Sequence, residues 1–125
     1  MLSNNNAAIS LDNGLEDCIF SDCIADGNSD VGLFARNSKE LRFNNCIIKN
    51  SGSYAAFLSH DESNNGVHDI FFSGCQIVTN VHGINVASTE DKSSNVSIVG
   101  CVFRGNGTPI ETAGTTITQA ANIFL

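Results

Sequence analysis

The sequence predicts an all-β chain: a single-stranded, right-handed parallel β-helix of about four to five coils, with three short strands per coil. Three observations predict it. Four segments, "CIFSDCIAD", "LRFNNCIIK", "IFFSGCQIV" and "VSIVGCVFR", coincide when aligned on Cys23, Cys46, Cys75 and Cys101. Apolar residues alternate on both sides of that cysteine, the period of strands. Directly before it stands Asp22, Asn45, Gly74 or Gly100, residue types that tolerate a left-handed backbone and so turn a corner in one step.

The first strand of each coil is read from "AISL", "GLFA", "AFLS", "GINV" and "PIET", at 8–11, 32–35, 56–59, 83–86 and 109–112. These place Ile9, Leu33, Phe57, Ile84 and Ile110 in one inward column, with Ser10, Phe34, Leu58, Asn85 and Glu111 outward. The second strand carries the inward stack Phe20, Phe43, Phe72 and Ile98. The third follows the cysteine and sends Ala25, Ile48, Ile77 and Phe103 inward. Length variation is confined to one connection, where "HDESNNGVH" and "STEDKSSN" replace "RNSK"; loops absorb insertions while strands keep register. The boundaries are an N-terminal extension at 1–7, coils at 8–112, and a partial coil or cap at 113–125.

The cysteines are expected to be small apolar fillers. Stacked parallel thiols seldom reach disulfide torsion, and no CxxC pair suggests zinc or redox work. A net charge of −7 with six Lys plus Arg argues against nucleic acid as a partner. No apolar run is long enough to insert in a membrane, and "MLSNNNAAISLD" lacks the features of a signal peptide.

The repeated "VxIxGCxFxxN…GINV" pattern, spanning residues 8–112, resembles the pectate-lyase-like superfamily, which includes polysaccharide lyases, polygalacturonases, alginate epimerases and phage tailspikes. That resemblance implies a polysaccharide partner, and a place on a phage virion tail or a cell surface. The catalytic motifs of the family's enzymes are missing: there is no polygalacturonase-type Asp pair, no Asp-Pro-His, and no Arg with a calcium-lyase acidic cluster.

Outward positions supply the candidate sites. Ile24, Ile47 and Val102 give the third strand an apolar outer side, and Phe34 with Leu58 adds a second apolar pair. Contiguous apolar ladders mark interfaces, so a homo-oligomer is expected, with a trimer suggested by the tailspike resemblance. Tyr54, Asn80 and His82 on one connection, with Arg36 and Asn85 nearby, offer the amides, aromatic ring and charge that suit sugar hydroxyls. The opposite connection collects nine of the 13 acids. Among these, Asp61, Glu62, Glu90 and Asp91 with His60 are the candidates for acid/base glycoside chemistry. A solvated acidic rim is the competing reading, and Ca²⁺ a third; no metal or cofactor is expected. The preferred function is structural and carbohydrate recognition, and the alternative is a lyase or glycoside hydrolase acting on an acidic or capsular glycan.

Overall fold

The computed structural model describes residues 6–12 and 14–125. Each coil contributes three strands: β1 (Ala7–Leu11), β2 (Glu16–Ser21) and β3 (Ile24–Asp26) in the first, then β4 (Val31–Ala35), β5 (Ser38–Asn44) and β6 (Ile47–Lys49). β7 (Tyr54–Leu58), β8 (Val67–Ser73) and β9 (Gln76–Val78) follow, then β10 (His82–Val86), β11 (Ser94–Val99) and β12 (Val102–Arg104). A shorter last coil holds β13 (Ile110–Thr112), β14 (Ile117–Ala120) and β15 (Ile123–Phe124).

Every pairing is parallel and joins equivalent strands of successive coils. Three five-stranded sheets result: β1-β4-β7-β10-β13, β2-β5-β8-β11-β14 and β3-β6-β9-β12-β15. The described residues contain no helix, hence none long and apolar enough to cross a membrane. The fold is a three-sheet parallel β-solenoid, and within the "TTITQAANIFL" segment β14 and β15 pair with β11 and β12. β1 begins at Ala7, one residue before the predicted boundary, while residues 1–5 of the expected extension lie outside the described residues.

Corners form where the sequence supplies left-handed residues. Asp22, Asn45, Gly74, Gly100 and Ala121 precede the cysteine position with φ between 52° and 62°. A second series, Gly27, Asn50, Thr79 and Gly105, turns the chain out of the third sheet with φ between 55° and 68°.

Inside, like stacks on like. Phe20, Phe43 and Phe72 lie 5.1 and 4.9 Å apart with nearly parallel rings, and Ile98 continues the column. Cys46, Cys75 and Cys101 are buried and no cysteine is paired. Cys46 and Cys75 donate to the carbonyls of Phe20 and Phe43 in the preceding coil at 3.4 and 3.3 Å. Contact with the Cys101 thiol, then burial, pushes the Cys75 thiol well above its usual range, and burial raises Cys46. These thiols pack as apolar fillers.

One column differs from its prediction. β7 aligns as "AAFL" at 55–58, so Ala56, not Phe57, joins Ile9, Leu33, Ile84 and Ile110 inside. Leu58 is fully buried against Ala35 and Val86, and Phe57 takes the outward place assigned to it. A column of small residues runs beside it. Gly32 and Gly83 both sit level with Ala55, where the coils approach too closely for more. A Cβ at Gly83 would stand 1.9 Å from the Pro109 carbonyl oxygen; one at Gly32 would stand 2.3 Å from the Ile48 side chain. In the third coil Ala55 takes that level, nine residues after Cys46 as Gly32 is nine after Cys23.

Candidate functional site: an aromatic-lined groove on the first sheet

Alternation in β4 and β7 buries Leu33, Ala35, Ala56 and Leu58, and therefore sends Phe34 and Phe57 to the outer face. They stack at 6.3 Å with rings 7° from parallel. Ser10 precedes Phe34 in the same outward column, and Asn85 and Glu111 follow Phe57. Tyr54 stands beside this column, 5.3 Å from Phe57, and stacks on His82 of the next coil at 5.0 Å. The outer face thus carries three benzene rings and an imidazole in continuous contact.

Arg36 closes one side. Its Nε donates to Asp12 Oδ1 at 2.8 Å, and its guanidinium carbon lies 5.6 Å from the Phe34 centroid, within cation–π range. The hydrogen bond to Asp12, and then the Asp12 charge, raise the already high pKa of Arg36. Between these groups lies a groove of about 530 Å³, lined by Ser10, Asp12, Asp30, Phe34, Tyr54 and Phe57 among others. The small Ser10 keeps it open, because an aromatic residue there would extend the stack.

The sequence-predicted contact residues divide accordingly. Tyr54 and Arg36 line the groove, together with Phe34, which the sequence assigned to an interface. His82 adjoins it through Tyr54, and its Nδ1 lies 3.5 Å from a Glu111 carboxylate oxygen without a directed hydrogen bond. Asn85 sits further along the outward column. Asn80 is a correction: it is buried, with no surface to offer a ligand. Its Oδ1 accepts the Ser51 N–H and its Nδ2 donates to the Ile48 carbonyl, both at 3.0 Å. Asn106 repeats the arrangement one coil on, donating to Ile77 O at 2.8 Å and accepting the Asn80 N–H. Phe57 is the groove residue that sequence reasoning misplaced; the nine-residue step from Cys46 to Ala55, equal to that from Cys23 to Gly32, was the signal for it.

Asp61 and Asp91 are held in their own turns, and Glu90 by the next coil. Asp61 accepts from the side chain and N–H of Asn65 at 3.0 and 2.8 Å and from the N–H of Ser63 at 2.9 Å. The Asn65 side chain foremost holds its carboxyl below the usual range. Asp91 is lowered chiefly by the Thr89 hydroxyl, and Glu90 accepts from the Thr116 hydroxyl. A general acid needs the opposite shift. Asp61 and Glu62 line a shallow cleft with Arg36, whereas Asp91 lines a different one with Glu16, Lys39, His68 and Lys92. His60 Nδ1 is enclosed without a hydrogen bond. Among the described residues no three His, Cys, Asp or Glu side chains converge as a metal site.

The third sheet presents Ile24, Ile47, Gln76, Val102 and Ile123 as one outward column, Ile24 being 36% and Ile123 52% exposed. Fold and groove together define a β-solenoid with an aromatic-lined outer face. Compared with protein-family models, curated proteins and solved structures, the chain matches none.

Proposed function

We propose that this chain is a rigid carbohydrate-recognition solenoid of the pectate-lyase-like kind, a structural segment of a tailspike- or adhesin-like protein. It binds a glycan along the outer face of the first sheet. The observation that carries this reading is the groove, in which Phe34, Tyr54 and Phe57 stand beside the Arg36–Asp12 pair. Pyranose rings present apolar C–H faces and a rim of hydroxyls. Aromatic surface takes the first, and fixed charged or polar groups orient the second. A stacked solenoid keeps both in place before the ligand arrives, which lowers the entropic cost of binding. The outward Ile24, Ile47 and Val102 column supports self-association into a homo-oligomer, the trimer of the tailspike resemblance being the expected form.

Titration calorimetry against a panel of oligosaccharides tests the reading, with reducing-end and unsaturated-product assays run on the same mixtures. Binding without turnover is expected, abolished by the Phe34→Ala/Phe57→Ala double variant at unchanged circular dichroism. Undiminished binding by that variant, or no binding by the wild type, overturns it. Light scattering tests the oligomer: a strict monomer, or an assembly indifferent to Ile47→Glu, removes that part.

A further inference from the structure

The charge lining the groove narrows the ligand. Three ionisable side chains face it apart from Tyr54: Asp12, Asp30 and Arg36. The one cation is already engaged, since Arg36 Nε sits 2.8 Å from Asp12 and the guanidinium also feels Asp61 and Glu62. Asp30 has no such partner. It is exposed at the groove wall next to Tyr54, and its position is fixed because its carbonyl accepts the Ser53 N–H at 2.7 Å. The groove therefore has a net negative lining, on a chain of net charge −7. A polyanionic glycan would meet repulsion both at long range and at contact.

We infer that the glycan is one bearing free amino groups, with a hexosamine ammonium placed between the Asp30 carboxylate and the Tyr54 and Phe57 rings. Two kinds of group in the groove suit a cation there. The carboxylate offers a charge-assisted hydrogen bond, and the faces of the aromatic rings attract positive charge. An acidic capsular polymer fits neither. The inference rests on the groove being a glycan site and adds the sign of the ligand's charge.

The test compares chitosan, chitin and galacturonan oligomers of equal length, at mildly acidic pH and at low and high salt. It uses wild type, Asp30→Asn, Phe34→Ala/Phe57→Ala, and Asp22→Asn as an exposed acid at the corner before Cys23. Affinity is expected to fall in the order amine, acetyl, uronate. Asp30→Asn should weaken the amine oligomer by roughly twofold to fivefold, as an exposed ion pair allows, and leave the acetylated one unchanged. Asp22→Asn should leave both unchanged, which separates a groove contact from general attraction to an acidic protein. Galacturonan bound as tightly as chitosan overturns the inference. So does an equal response of the amine oligomer to Asp22→Asn and Asp30→Asn. If chitin and chitosan bind alike and the double Phe variant abolishes both, the glycan site stands and the amine requirement falls. If none of the three binds, the glycan reading itself is lost.

Discussion

Asn80 is the side chain whose removal most directly tests the stacked-coil interior. Its amide is 3% exposed and bridges two coils, accepting from Ser51 N–H and donating to Ile48 C=O and to Asn106 Oδ1. Asn80→Ala strands one backbone donor and one backbone acceptor where water has little access. Each orphaned group costs about 1–3 kcal/mol, so a loss of about 2–5 kcal/mol is expected. Asn106 Oδ1 keeps the Asn80 N–H, so the damage stays within one corner. Equilibrium urea unfolding followed by circular dichroism measures it. The comparison is Asn50→Gly, which removes an exposed amide bonded to Asp26 at 2.7 Å while glycine accepts the φ of 56°. That change should fall within about 0.5 kcal/mol of wild type. Asn80→Asp adds a second readout. It keeps an acceptor for Ser51 but aims a carboxylate at the Ile48 carbonyl. Burial and that carbonyl would raise its folded pKa above the unfolded value of about 3.9, so its deficit should grow as pH rises from there. If Asn80→Ala costs no more than Asn50→Gly, the amide ladder is not a structural element and the reasoning fails.

Three other outcomes are expected. Phe72→Ala opens the buried column between Phe43 and Ile98 and should cost about 3–5 kcal/mol in the same urea assay; a loss under 1 kcal/mol would mean the coils can close over the gap. In the native protein a thiol reagent should modify Cys18 and Cys23, which are half-buried, while Cys46, Cys75 and Cys101 react only on unfolding; five fast thiols would contradict the inward column. Asp26, Asp61 and Asp91 all have folded pKa values below the ordinary one, chiefly from Asn50, Asn65 and Thr89 respectively. Their contribution is therefore complete above the unfolded value of about 3.9 and lost as pH falls through the folded ones. Urea midpoints should be flat near neutrality and drop on acidification, less steeply in Asp61→Asn; an identical slope would count against the Asn65 contacts.

The parallel coils were legible because a repeat with inward Phe and Cys leaves little freedom in the second and third strands: shifting either by one residue would expose a whole column. The first strand lacked that constraint. Phe34 is apolar and outward, so hydrophobicity alone does not separate its two faces, and "AFLS" and "AAFL" both match. Distance from the preceding corner separates them: Ala55 stands nine residues after Cys46, as Gly32 stands nine after Cys23, whereas "AFLS" would start ten after it. The same reasoning explains Asn80. Counted as Asn somewhere after each cysteine, it looks like turn chemistry. Counted as five residues after each one, the positions are Asn28, Ser51, Asn80 and Asn106, in fixed phase with an inward thiol. A polar residue in constant phase with an inward thiol turns inward too: Asn28, Ser51 and Asn80 are buried, and the amides of Asn80 and Asn106 bond to the coil before rather than to a ligand. Asn122 extends the point. It occupies the cysteine position of the last coil, where its amide accepts the Cys101 N–H at 3.0 Å and donates to Ile98 O at 2.9 Å. What the interior requires at a corner is a small side chain that satisfies the coil before it, and thiol and amide each meet that need. The groove escapes this logic because its outward column does not repeat from end to end. Ser10, Phe34, Phe57 and Asn85 share one column with three different side chains, and the break in the pattern on either side of the Phe pair is where the fold stops specifying the residue and a ligand can.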